Sequence, residues 1–103
     1  MSKIYSSFSL IYQMICLFFI ISLNLRMEKI KLIWDFRGPN GKNTATHHEK
    51  HLKEFFKIEN KKMFQSGTEA LNELHHLAYI IILKKDLDEI KLMLKPHRGE
   101  IVD

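Results

Sequence analysis

The chain has 103 residues, of which 46% are hydrophobic and 27% charged, with 4 Gly and 2 Pro. This composition excludes a disordered or fibrous protein, and the length allows one domain. Of the 16 Lys and Arg, only Lys3 and Arg26 precede Met27, whereas all 12 Asp and Glu follow it. Residues 27–103 therefore carry 14 positive and 12 negative charges, a net charge of +2. That balance is too even to indicate nucleic-acid binding. The lone cysteine, Cys16, excludes an intramolecular disulfide and a cysteine-rich zinc site.

Residues 1–26 are an apolar N-terminal segment, predicted as a helix or as unstructured chain, and residues 27–103 are an α+β domain. Phe8–Leu25 carries no charge, but polar residues interrupt it, and a spanning helix needs about 20 mostly apolar residues. Three interpretations stay open: a mis-assigned start, a membrane anchor or a signal peptide. An anchor would leave the domain facing the cytoplasm, because the cations after the segment outnumber Lys3. We predict a cytoplasmic domain, with the membrane-anchored form as the alternative.

The first strand is predicted over Lys29–Phe36, KIKLIWDF, where apolar and polar residues alternate with period two. Its clearly apolar face consists of Ile30, Leu32, Trp34 and Phe36. The stretch Arg37–Gly41 combines Gly, Pro and Asn, which are turn-forming residues. The strand is therefore expected to end there.

A helix is predicted over Thr44–Glu59, because apolar residues recur there at spacings of three and four. We expect Thr44 or Thr46 to cap its N-terminus, and Thr46 with Glu49 has the spacing of a capping box. Asn60 follows the helix and tolerates the left-handed conformation that ends one.

The next stretch, Lys62–Leu74, is ambiguous between strand and helix. We favour a strand over Lys62–Ala70 and a turn around Asn72-Glu73. His75–Lys84 is rich in β-branched residues and apolar on both faces, which is typical of a strand in the middle of a sheet. The two strands would form a hairpin.

A second helix is predicted after Asp86, which would cap it together with Glu89. Pro96 would stop it, and Gly99–Asp103 would form a short last strand. The order β-α-β-β-α-β predicts an α+β sandwich of the ferredoxin-like type, with both helices on one face of an antiparallel sheet. The other face, which includes Ile33, is expected to be covered. A second copy of the chain is the simplest cover, so we predict a homodimer.

The pattern KIKLIWDF, a turn, a histidine-bearing helix and LAYIIILKKDLDEIKLMLKPH resembles small proteins of the dimeric α+β barrel superfamily. The resemblance covers about residues 29–103 and depends on order and pattern. It implies that the sheets of two subunits close a barrel, in some members around a ligand cleft. Some members are monooxygenases, isomerases or dehalogenating enzymes, and others have no known activity. No motif in this sequence selects among them.

Asp35 and Arg37 flank Phe36 at the end of the first strand, on the face opposite Trp34. Asp35 as a base and Arg37 as an electrostatic clamp could act on an organic substrate, with His76 beside them. The simpler interpretation is an ion pair or a loop-ordering hydrogen bond. The sequence therefore offers these three as catalytic candidates without assigning a reaction.

Six histidines raise the question of a metal site. His47 and His51 are four residues apart and His48 and His51 three apart, so either pair shares a helical face. The order HHEKH differs from HExxH by one residue, and a solvated helix face is the simpler interpretation. A third ligand could be His75, His76 or Asp35. We assign no metal and no cofactor, and keep the three helical histidines as candidates.

The remaining chemistry is limited. The sequence has no GxxxxGK, GxGxxG or GxSxG motif, and no Cys-His pair within the domain. The basic run from Lys95 to Arg98 is a cationic helix end, with phosphate binding as the alternative. We therefore expect a small ligand-binding or interaction protein. A dimeric α+β barrel enzyme and a membrane-anchored protein are the alternatives.

Overall fold

The computed structural model describes residues 10–21 and 28–102. Residues 10–21 are helical (α1), and all of them are exposed except the half-buried Cys16. Within these described ranges, no helix is both long and apolar enough to cross a membrane. The three interpretations of the N-terminal segment also depend on residues 1–9 and 22–26, which lie outside the described residues.

The domain is built in the order β-α-β-β-α-β, with a one-turn 3₁₀ helix before the last α-helix. The elements are β1 (Lys29–Arg37), α2 (Gly41–Ile58), β2 (Gln65–Asn72), β3 (His75–Leu83), α3 (Leu87–Leu94) and β4 (Arg98–Val102). The strands form one antiparallel sheet in the order β2-β3-β1-β4. The predicted α+β class and antiparallel sheet are confirmed, and the ambiguous stretch contains a strand.

The hydrophobic core lies between one face of the sheet and the helices α2 and α3. Alternate residues of β1 and β3 point into it, which confirms the apolar face predicted for the first strand. Burial of this apolar area is the main stabilising contribution to the fold. The core residues are Ile30, Leu32, Trp34, Leu52, Phe56, Ile80, Ile82 and Ile90.

The other face of the sheet carries ion pairs as well as apolar side chains. Ile33 and Leu77 lie on it, yet they are only 1% and 2% exposed within the single chain. The Lys31 ammonium lies 2.9 Å from Glu69 and above the ring of Tyr79. Ile33 and Leu77 are thus already shielded from water without a second copy, and the homodimer stays a prediction.

The start of α2 differs from the prediction. The helix begins at Gly41, so Thr44 and Thr46 lie inside its first turns. Their hydroxyls donate to carbonyl oxygens four residues earlier, at 3.0 and 2.9 Å, so the predicted threonine cap is wrong. A Cβ at position 41 would lie 2.8 Å from the Phe36 carbonyl oxygen. Glycine therefore allows the helix to begin close against the end of β1, ahead of the threonines.

The start of α3 agrees with the prediction, because the helix begins at Leu87, directly after Asp86, which occupies the N-cap position. The residues Lys84–Asp86 form a 3₁₀ helix that leads directly into α3. The Asp86 side chain makes no capping hydrogen bond, so that part of the predicted cap is wrong. The end of α3 also agrees with expectation: Lys95 adopts a left-handed conformation with φ of 47°, and Pro96 follows it.

Candidate functional site

The connection from α3 to β4 is held against β1 by three hydrogen bonds. The indole Nε1–H of Trp34 donates to the Leu94 carbonyl at 3.0 Å, and the His97 backbone N–H donates to the Ile33 carbonyl at 2.9 Å. The Asp35 backbone N–H donates to Nδ1 of the His97 ring at 2.8 Å. Both the backbone and the ring of His97 are therefore fixed by the central strand.

A cleft of about 310 Å³ opens beside this connection, between α3 and the edge of β1 that β4 pairs with. Its floor is apolar and includes Ile30, Leu32 and Leu87. Gly99 lies opposite Leu32 in the sheet, and a Cβ there would lie 3.3 Å from Ile30 Cδ1. The absent side chain leaves the space in front of Ile30 open, although Ile30 and Leu32 are themselves only 8% and 1% exposed.

The rim of the cleft is cationic. Lys91, His97 and Arg98 line it, and among residues 28–102 no Asp or Glu does. The Arg98 guanidinium is paired with Asp35 and Glu100. Lys91 has no ion-pair partner within residues 28–102. Since Nδ1 of His97 accepts a hydrogen bond, the proton of its neutral ring lies on Nε2, which is then a donor. The cleft thus combines an apolar floor with one positive charge that has no ion-pair partner among residues 28–102, that of Lys91, and one oriented N–H group.

Asp35 organises the opposite face of the sheet. Its carboxylate accepts hydrogen bonds from Arg98 Nε at 3.0 Å and from Arg98 Nη2 at 3.2 Å, and His75 Nε2 lies 2.8 Å away. These partners, Arg98 foremost, lower the pKa of Asp35 from 3.8 to about 2. A carboxylate with so low a pKa is a weak base at neutral pH.

The three catalytic candidates do not converge. Asp35 and Arg37 lie on the face away from the core, as predicted, but His76 lies opposite Phe36 in the sheet and so shares the helix-covered face. His75, its neighbour, is the histidine that contacts Asp35. The sheet therefore separates His76 from the other two candidates.

The helical histidines divide into two groups. The Nε2 atoms of His47 and His51 lie 2.9 Å apart on the exposed side of α2. His48 turns inward, and its ring centroid lies 5.1 Å from that of Trp34 and 5.3 Å from that of Phe36. Over residues 10–21 and 28–102, no group of three or more His, Cys, Asp or Glu side chains is placed to hold a metal ion.

His48 makes stability depend on pH. Its Nε2 is buried without a hydrogen-bond partner, and burial first, then the nearby His51 and His97, lowers its pKa from 6.5. The unfolded chain therefore takes up this proton at a higher pH than the folded chain, and stability falls as pH drops below 6.5 through the folded pKa.

We expect His48→Phe to lose less stability between pH 7 and 5 than the wild type, measured by urea unfolding. Equal losses would contradict this assignment.

Sequence reasoning did not select the cleft residues. His97 and Arg98 entered only as part of a basic run, and Lys91 did not enter at all. No periodicity or motif marks them, because their proximity depends on how α3 returns to the sheet. No family model, curated protein or solved structure matches the chain.

Proposed function

We propose that this protein is a small binding domain that takes up an organic carboxylate with an apolar body in the cleft between α3 and β4. The observation that carries the proposal is the apolar floor beneath Lys91 and the fixed ring of His97. The apolar body would lie on Ile30 and Leu32, and the carboxylate would pair with the Lys91 ammonium and accept the His97 Nε2–H.

The cleft suits a small ligand. Ligand pockets have volumes of about 300–1,000 Å³ and combine apolar walls with a few polar groups. At about 310 Å³ the cleft is at the lower end of that range. The two bonds that β1 makes to His97 reduce the cost of ordering the donor when a ligand arrives.

We infer that the domain is of the ferredoxin-like type and acts by binding rather than by catalysis. The element order, the strand order β2-β3-β1-β4 and the packing of both helices on one face support this type. The low pKa of Asp35, at about 2, disfavours the enzyme alternative that uses it as a base. A cytoplasmic location remains part of this proposal.

NMR titration of the full chain tests the proposal. Chemical shifts are monitored while phenylbutyrate or, separately, its uncharged analogue phenylbutanol is added. We expect phenylbutyrate to bind with a Kd of about 1 mM, given the efficiency of small ligands, and phenylbutanol to bind more weakly. Lys91→Met should weaken phenylbutyrate binding by about fivefold and leave phenylbutanol unchanged, because it removes the charge but keeps the length.

The matched control is Lys85→Met, which removes one exposed positive charge away from the cleft. It should leave both affinities unchanged. Equal weakening by the two substitutions would attribute the effect to net charge, and equal affinity for the acid and the alcohol would overturn the carboxylate assignment.

A further inference from the structure

Two histidine rings of α2 converge on the exposed surface. His47 and His51 are one helical turn apart, and their Nε2 atoms lie 2.9 Å from each other. The ring centroids are 4.4 Å apart and the ring planes are nearly perpendicular. At this distance one Nε2–H donates a hydrogen bond to the other Nε2, so the two nitrogens face each other.

A carboxylate supports one of the two rings. The Glu54 Oε2 atom lies 3.6 Å from Nδ1 of His51. A negative charge on this side favours the proton on Nδ1, which leaves the lone pair of His51 on Nε2. Carboxylates that accept a hydrogen bond from the far nitrogen of a metal-binding histidine fix its tautomer and ring orientation, and Glu54 lies just beyond that distance.

We propose that His47 and His51 form a two-histidine binding site for a divalent transition-metal ion, with water completing the coordination. The metal, about 2.0 Å from each Nε2, would lie to one side of the line between the two atoms, and the Nε2 proton of His47 would move to Nδ1 of that ring. Two imidazoles suit copper, nickel and zinc, and the general order of affinities places Cu²⁺ above Ni²⁺ and Zn²⁺.

This site is independent of the proposed carboxylate cleft. Neither His47 nor His51 lines the cleft, and both side chains are exposed. Two protein ligands leave positions open, so the bound ion stays accessible to solvent or to a further ligand. The third candidate from the sequence, His48, faces Trp34 and takes no part.

The test is calorimetric titration of the full chain with Cu²⁺ and, separately, Ni²⁺. We expect one Cu²⁺ per chain, bound more tightly than Ni²⁺. His47→Gln or His51→Gln should each weaken binding by about 100-fold. Only one imidazole of the pair then remains, so the advantage of two linked ligands on one ion is lost. Both residues are exposed, so circular dichroism should show unchanged helix content.

The control is the double variant His51→Gln with Lys53→His, which keeps six histidines but moves one off the shared face of α2. It should bind Cu²⁺ as weakly as His51→Gln alone. Wild-type affinity in either His51 variant would overturn the proposal, because the ion would then be held by other histidines.

Discussion

We expect Leu32→Ala to have the largest effect of any single change considered, lowering the free energy of unfolding by about 2–5 kcal/mol. Leu32 lies in the central strand β1, is 1% exposed, and belongs to the core beneath both helices. Shortening it removes apolar contacts and leaves a cavity that a rigid sheet cannot close. Small domains are marginally stable, so the variant should be largely unfolded at 37 °C.

Urea unfolding followed by circular dichroism measures this effect. The matched control is Leu74→Ala, in the β2–β3 turn, where the side chain is 58% exposed. That change should stay within about 0.5 kcal/mol of the wild type. If both variants lost a similar amount of unfolding free energy, this would contradict the assignment of Leu32 to the core.

Asp35→Asn should lower the free energy of unfolding by about 2 kcal/mol at neutral pH. The Asp35 carboxylate is 18% exposed and is bonded to Arg98 and near His75, and neither partner is satisfied equally by a neutral amide. The magnitude follows from the pKa of Asp35, which is about 2 in the folded chain against 3.8 for a free aspartate.

The pH dependence of the Asp35 contribution has a definite sign. The unfolded chain takes up the proton first, at a pH near 3.8, so the contribution is fully present above that value. It is lost as the pH falls towards about 2, where the folded carboxylate is protonated. The stability difference between the wild type and Asp35→Asn, measured by denaturant unfolding, should therefore shrink over this interval. If the stability difference between the two proteins stays constant over this interval, the result would contradict a stabilising role for the negative charge of Asp35.

The elements with clear periodicity could be predicted from the sequence. Period-two alternation over Lys29–Phe36 correctly identified both β1 and the face that packs on the helices. Pro96 was expected to stop the second helix, and α3 ends at Leu94. Asn60 has the left-handed φ of 53° expected at the end of α2. In these places local preference and burial favour the same structure.

The start of α2 and the site could not be predicted in the same way. The threonine cap was wrong because close contact between Gly41 and the end of β1 decides where α2 begins, and that contact is tertiary. The adjacent His75 and His76 lie on opposite faces, and only the register of β3 against β1 decides which of them meets Asp35. The cleft residue His97 depends on hydrogen bonds to a strand more than sixty positions earlier.

The most direct test of the account is to locate phenylbutyrate on the full chain by intermolecular nuclear Overhauser effects. We expect contacts from the phenyl ring to the methyl groups of Ile30, Leu32 and Leu87, which form the floor of the cleft. Contacts confined to Ile58, Leu71 or Leu74, which are exposed apolar side chains away from the cleft, would contradict the proposed binding function.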